Sequence, residues 1–492
     1  MAHLTARVVT DLGGVDAAAW DALDHGGSPF LEYGFLRALE RSGSIGEEAG
    51  WRPFYILVEE EVEAPSTSRR RRRRLARPPA PARLVGAVAA FVKEHSYGEY
   101  IFDWAWARAS QRAGLAYYPK LVIAAPVTPA TGPRLLISPD AHADRATIIA
   151  RLVTAVRGLA DEHSCSSVHW LFTTAQEQAE LGAHGFAPRS SYQFHWRNRD
   201  YRSFDDFLGA LTSRRRKQIR KERRRAHAAI DGLEFVPGDQ VTPAEIRLMD
   251  RFYRQTVWAH GGMDYLRPGF FKALCELAPR RVRIARVRRD GQMIAGALYL
   301  QTDRALYGRY WGSDEEHDCL HFETAYYAGV EHCIREGLEL FEVGAQGEHK
   351  LLRGFAPSLT RSSHWIRHDG LFAAVKRFLA EEQRSLEPYL DELNSLCPYK
   401  HVEDQSGPSR KAEKKARRKA EKLAAKEARA RQLAESMSEK LSEREAEAAA
   451  DAQAELVELV ETVENVENVE NVETVENVET VEKAETRDAS LE

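Results

Sequence analysis

Residues 86–100, GAVAAFVKEHSYGEY, and residues 296–310, GALYLQTDRALYGRY, carry one pattern at an offset of 210 residues. Gly86-Ala87 matches Gly296-Ala297, Tyr97-Gly98 matches Tyr307-Gly308, and Tyr100 matches Tyr310. Five identities in fifteen ungapped positions stand against about one expected by chance, so the pattern reads as an internal duplication. The flanks agree in kind. FYILVE (54–59) and VRIARVR (282–288) are β-type runs that precede the two copies. In the second copy Arg-Asp-Gly (289–291) is a hairpin turn between strands. In the first, EVEAPSTSRRRRRRLARPPAPAR (61–83) stands at the equivalent place, and its prolines and like charges make it an exposed insertion.

Each copy then continues into a helix-forming stretch and a further strand. The second has 320–336 followed by LELFEV (338–343); the first has 142–163 followed by SVHWLF (167–172). The expected fold class is α/β (α+β): two tandem domains, 1–197 and 198–400, each a mixed sheet flanked by helices. A third region, 401–492, is charged. Its alanine-rich first part (KAEKKARRKAEKLAAKEARARQLAES) favours helix. Its end repeats valine every third residue from 460 to 481. A period of three drifts by about 60° per step around a helix, so no apolar seam forms. The tail reads as a helical or disordered appendage without catalytic groups.

The chain of 492 residues has 43% hydrophobic and 29% charged residues, and its net charge of −4 hides arginine runs at 69–74 and 214–225. The six-arginine run could hold nucleic acid or anionic lipid by charge; a solvated loop is the plainer reading. Five scattered cysteines without a CxxC pair argue against a disulfide framework or structural zinc and fit a reducing compartment. The N-terminus lacks the layout of a signal peptide, and the apolar run 84–92 is half the length of a membrane span. A cytoplasmic protein with no integral membrane segment is expected.

Chemistry concentrates in EVGAQGEHKLLRGF (342–355), at the C-terminal end of a predicted strand, where α/β sheets bind ligands. Glu342, Glu348, His349 and Lys350 are the catalytic candidates, with Gln346 and Arg353 as substrate contacts; the alternative is a solvated polar turn. Asp103 and Trp104, in the aromatic–acidic cluster 97–106 that ends a strand, suit recognition of a polar substrate, unless Asp103 pairs with an arginine. Tyr310, the last residue of the second copy, joins them. In SRRRKQIRKERRR (213–225), a helix start, Arg216, Arg220, Lys221 and Arg223–Arg224 form a cationic stripe suited to phosphates, or else simply a solvated face. His317 and His321 stand at i, i+4 without a third ligand at motif spacing, so no metal site is expected. Neither a nucleophile elbow nor a Walker loop is present.

Residues 28–398 resemble the FemAB-like group of peptidoglycan biosynthesis or recognition proteins in the GNAT acyltransferase superfamily. The likeness is carried by EHSYGEYIFDWAWA (94–107), YYPKLVIAAPVTPATGPRLL (117–136), RRRKQIRKERRRA (214–226), HGGMDYLRPGFF (260–271) and GAQGEHKLLRGFAP (344–357). It implies two GNAT-like domains and aminolysis of an activated acyl group. Fem-type relatives move an amino acid from aminoacyl-tRNA to the amine of a peptidoglycan precursor. Acyl-CoA-dependent members carry a glycine-rich loop where this chain has SDEEHDCLHFE (313–323), whose acidic residues would repel a pyrophosphate. Glu348 or His349 would then handle the proton, Lys350 and Arg353 the developing charge, and the 214–224 stripe the substrate's phosphates. Donors left open are aminoacyl-tRNA and acyl-CoA, acceptors a small molecule or a cell-wall precursor. A recognition protein without turnover is the third reading. Oligomeric state is not legible.

Overall fold

The structure is a computed structural model that describes residues 3–61, 82–259, 262–345 and 348–400. The expectations for the insertion between 62 and 81, for Gln346, for the Glu348 side chain and for the 401–492 tail lie outside the described residues.

Among the described residues thirteen strands form one sheet. The first seven are β1 (Leu4–Val9), β2 (Arg52–Glu61), β3 (Ala82–Lys93), β4 (Lys120–Ile123), β5 (Leu136–Ile137), β6 (Ser167–Leu171) and β7 (Ala187–Arg197). The rest are β8 (Gly232–Pro237), β9 (Val282–Arg289), β10 (Gln292–Gln301), β11 (Ala305–Ser313), β12 (Leu340–Glu342) and β13 (Ala356–Ile366). Their spatial order is β1-β2-β3-β4-β6-β13-β7-β12-β11-β10-β9-β8, with β5 beside β3.

From either edge the same sequence of pairings recurs. β1/β2, β2/β3 and β3/β4 are antiparallel, β4/β6 is parallel, and β6/β13 is antiparallel. From the other edge β8/β9, β9/β10 and β10/β11 are antiparallel, β11/β12 is parallel, and β12/β7 is antiparallel. The duplication is therefore real, but each half takes its last strand from the other. β7 closes the second half-sheet and β13 the first. The two then pair with each other across nine residues, Ala356–His364 against His195–Ala187. One sheet per copy was expected; the exchange fuses them into one and leaves neither half a bare inner edge.

The fifteen-residue match also divides. Gly86-Ala87 and Gly296-Ala297 lie in the third strand of their halves, β3 and β10. Tyr307–Tyr310 belongs to β11, whereas Tyr97–Tyr100 is a loop, not the end of a strand. Positive φ at Gly98 (76°) and Tyr100 (59°) turns that chain aside, and a helix from Trp104 to Arg112 intervenes before β4. The expected hairpin is present: Asp290 and Gly291, at φ 50° and 75°, supply the two positive angles of the tight turn between β9 and β10.

Local sequence explains the layers. β4 and β6 are buried throughout, and both bury polar side chains among apolar ones: Lys120 in β4, Ser167 and His169 in β6. One sheet face carries a single core that runs through both halves, from Tyr55, Ala89 and Phe91 to Ile284, Leu298 and Leu300. Phe35 and Leu39 of the Tyr33–Ser42 helix and Phe270 and Leu274 of the Phe270–Leu277 helix fill it. These two helices approach so closely that a Cβ at Gly34 would stand 2.5 Å from the Leu277 carbonyl oxygen. The opposite face is covered separately. The Arg145–Glu162 helix packs Ile148, Leu152 and Val156 on the first half; Ile219 and Val330 cover the second. Each fully buried Leu, Ile or Phe contributes about 1.5–3 kcal/mol. Among the described residues no helix is long and apolar enough to cross a membrane.

Candidate functional site

β11 and β12 pair only through Ala305–Tyr307 and Leu340–Glu342. Beyond that point β12 ends while β11 continues to Ser313. The last paired residue, Glu342, is buried at the end of the ladder. Its charged surroundings come from three segments: Arg309 from β11 beyond its pairing with β12, His195 from β7, and Arg134 from the loop before β5; Lys350, in the 348–353 turn, lies in the field of Arg309. A C-terminal strand end in the middle of a sheet is where the fold places ligands.

The geometry leaves these groups underused. Glu342 Oε2 lies 3.7 Å from Arg309 Nη2, and Oε1 lies 3.8 Å from His195 Nε2. Both distances allow attraction but exceed a hydrogen bond. Glu342 Oε2 has no hydrogen-bond partner, and neither do Arg309 Nε and Nη2. Burial pushes the Glu342 carboxyl up to about 7, against the pull of Arg309, Arg197 and Arg134. Burial, reinforced by Arg309, brings the Lys350 amine down to about 7. Lys350 Nζ donates to the Gly344 carbonyl at 3.1 Å. A buried carboxylate and a buried amine that both titrate near neutrality, each in the field of Arg309, are ingredients of proton transfer.

The wall around them is rigid. Arg134 is fully buried and donates to the Ala130, Gly132, Pro133 and Leu171 carbonyls, which fixes the 130–134 loop. Gln193 Nε2 holds Pro129 O at 3.0 Å and its Oε1 meets His195 Nε2 at 3.2 Å. Tyr310 packs edge-on against Tyr253, and its hydroxyl reaches the Val127 carbonyl at 3.4 Å. Val127 sits at φ 48°, a strained angle for a β-branched residue.

The other sequence candidates fall elsewhere. His349 is exposed, with its ring nitrogen 2.9 Å from the Tyr326 hydroxyl. Arg353 pairs with Glu222 at 3.1 Å and lies 3.5 Å over the Phe322 ring, which ties the turn to the Ser213–His227 helix. On that helix the stripe is partly neutralised. Arg220 pairs with Asp205, Arg223 with Glu323 and Glu331, and Arg216 donates to Ser213. Lys221 is exposed on the same helix. His317 bonds Glu315 at 2.7 Å, while His321 packs on Trp311.

Asp103 belongs to a second buried polar cluster, in the first half. Its Oδ2 accepts from Lys120 Nζ at 2.5 Å and from the Tyr117 hydroxyl at 2.6 Å. Lys120 also reaches Glu99 at 2.9 Å. Burial alone would raise the Asp103 carboxyl; the Lys120 charge overrides it and holds it well below the usual carboxylate range. The partner expected for Asp103 was an arginine; it is a lysine. Trp104 meets the Tyr97 ring at 5.1 Å between centroids. A separate cleft of about 570 Å³, lined by Asp21, Glu32, Leu277, Arg281, Arg283 and Asp303, includes none of these candidates.

Arg309, His195 and Arg134 were not singled out from sequence. Arg309 did leave a mark: it replaces Glu99 in the duplicated Tyr-Gly-x-Tyr, the charge-reversed position inside a matched motif. His195 and Arg134 left none, because strand exchange and a long loop bring them in.

The sequence model of a family described as FemAB-like, peptidoglycan biosynthesis/recognition, matches residues 11–401. The chain belongs to the FemAB-like family. Among solved structures, FemX is similar at 11% identity over 75% of this FemAB-like chain and 100% of its own, with a TM-score of 0.43. L-PGS from Bacillus licheniformis is similar at 10% identity over 75% and 99%, with a TM-score of 0.39. A tandem GNAT protein from the clavulanic acid biosynthesis pathway is similar at 12% identity over 74% and 98%, with a TM-score of 0.36. No curated protein matches the sequence.

Proposed function

We propose that this FemAB-like protein is an N-acyltransferase that passes an acyl or aminoacyl group to an amine, with Glu342 as the group that takes the amine's proton. One observation carries the reading: Glu342 is a buried carboxylate, raised to about 7, with an unpartnered oxygen where β11 and β12 part. The amine nitrogen attacks the acyl carbonyl, and a C–N bond forms as its proton moves to Glu342 Oε2. Lys350, when protonated, stabilises the oxyanion. Collapse breaks the bond between the acyl carbon and the leaving oxygen, which carries away the proton. This keeps Glu342 and Lys350 from the sequence reading and moves the proton from Glu348 or His349 to Glu342.

An aminoacyl ester such as aminoacyl-tRNA fits the donor better than acyl-CoA. Acyl-CoA pyrophosphate needs free backbone N–H groups at a helix start. In the first half Asp144 caps the Arg145–Glu162 helix by accepting from Thr147 N at 2.9 Å. In the second, acidic Asp318 precedes the Leu320 turn and pairs with Arg225. Family membership makes a peptidoglycan-precursor amine the acceptor to test first, and the exposed Lys217 and Lys221 suit a phosphate backbone. The test is turnover of aminoacyl-tRNA and acyl-CoA with amine acceptors by wild type and Glu342→Gln. A loss of at least a hundredfold in kcat with an unchanged melting temperature supports the base. Undiminished turnover removes it, and binding without turnover in the wild type would favour a recognition protein.

A further inference from the structure

We infer that Arg309 is a seat for a carboxylate carried by the substrate. The inference rests on the reading of Glu342 as the reacting centre and names the substrate class of that site. The Arg309 side chain is 4% exposed, yet it forms no close ion pair. Its Nη1 donates to the Gly308 carbonyl at 2.8 Å. Nε and Nη2, which share the opposite edge of the guanidinium, donate to nothing. That edge carries two parallel N–H bonds at the spacing of the two oxygens of a carboxylate. Leaving two buried donors unmet is costly, so a partner is to be expected there.

Glu342 does not fill the role. It stands 3.7 Å from Nη2, beyond hydrogen-bond reach, and its own Oε2 is also unmet. The guanidinium is held by Phe30, 4.4 Å below it, and by the Tyr307 ring at 5.5 Å. With the aromatic faces covered and Nη1 used, the Nε/Nη2 edge is the remaining polar direction. A planar monoanion satisfies one such edge completely. A phosphate dianion would present further oxygens to aromatic rings and to the Glu342 carboxylate, which repels a second negative charge. The substrate so defined is an amino acid or peptide whose free carboxylate lies within reach of the amine or acyl carbon reacting at Glu342.

The experiment is calorimetric titration of the full chain with lysine, lysinamide and inorganic phosphate. Lysine should bind at least tenfold tighter than lysinamide, and the preference should vanish in Arg309→Lys, which keeps the charge but loses the paired edge. Equal binding of lysine and lysinamide by the wild type overturns the assignment, and that comparison needs no variant to fold. Phosphate binding tighter than lysine also overturns it, in favour of a phosphorylated group. A preference that survives in a folded Arg309→Lys overturns it too. Glu342→Gln separates the two readings. If it retains the lysine preference and full turnover, the base is refuted and the carboxylate seat stands; if it loses turnover while the wild type shows no preference, the seat is refuted and the base stands.

Discussion

His169 on β6 and His364 on β13 meet Nδ1 to Nδ1 at 2.8 Å, a buried bond between the first half-sheet and the strand it borrows from the second half. Each ring's Nε2 is bonded to a serine, Ser167 and Ser362, both at 2.8 Å. One Nδ1 must donate and the other accept, so the pair is neutral with opposite tautomers. Burial, aided by the nearby Lys120 charge, lowers His169 to about 3; burial, aided by His169, lowers His364 well below its ordinary value.

That pairing sets an acid limit. Both histidines take up protons in the unfolded chain near pH 6.5 and refuse them when folded, so the unfolded state binds more protons below that pH. Stability is complete above about pH 6.5 and falls as pH drops towards the folded values, by up to about 1.4 kcal/mol per pH unit for each histidine. Glu99 and Glu342, raised to about 7, work the other way, so the comparison must be between variants. Urea unfolding from pH 7.5 to 5 should give His364→Gln a shallower loss than wild type, by about 1 kcal/mol per unit. Equal slopes would sink the account.

The exchanged strands forbid the halves from standing alone. A chain ending at residue 197 keeps β7 without β12 or β13 and loses β13 from β6, so three ladders are unmade. Residues 198–400 alone lose β7 and leave β12 paired on one side. Expressed separately, the pieces 1–197 and 198–400 should lack a cooperative thermal transition; expressed together, they should copurify as a folded pair. A sharp transition for either piece by itself would show that the exchange is dispensable.

Much of this was legible, and the remainder has identifiable causes. The duplication, the 289–291 hairpin, the helix after Thr212 and the strand ending at Glu342 all come from local signals: matched motifs, turn residues, apolar runs. Glu342 and Lys350 were legible because a polar run followed a strand. The strand exchange was not, because β7 and β13 are ordinary β-runs whose sequence does not say which neighbour they choose. Tyr97–Tyr100 misled for a related reason: identical residues continue a strand in one copy and turn aside at Gly98 in the other. Asp103 was flagged as costly to bury unpaired, and the structure meets that cost with Lys120, seventeen residues away across a helix.

Lys120 is then a structural residue whose loss is severe. With Lys120→Met, Asp103 and Glu99 remain buried beside each other without their shared cation. Breaking a buried pair from one side costs about 3–5 kcal/mol. Chemical denaturation should show a loss of that size, and the double variant Lys120→Met, Asp103→Asn should recover part of it. A loss below about 1 kcal/mol would mean that water reaches the cluster.

The pH profile of turnover follows from the two groups near neutrality. Glu342 must be ionised to accept a proton, so activity should rise as pH climbs through about 7. Lys350 contributes charge only while protonated, so activity should fall as pH rises further past about 7. The two limbs overlap, which gives a narrow bell in kcat/KM centred near neutrality. Lys350→Met removes the alkaline limb. It should lower the maximum by about tenfold to a hundredfold and leave a rise to a plateau, because the carboxylate's own ionisation survives. Glu342→Gln removes the acidic limb together with most of the activity. If Lys350→Met left the bell intact, the falling limb would belong to another group.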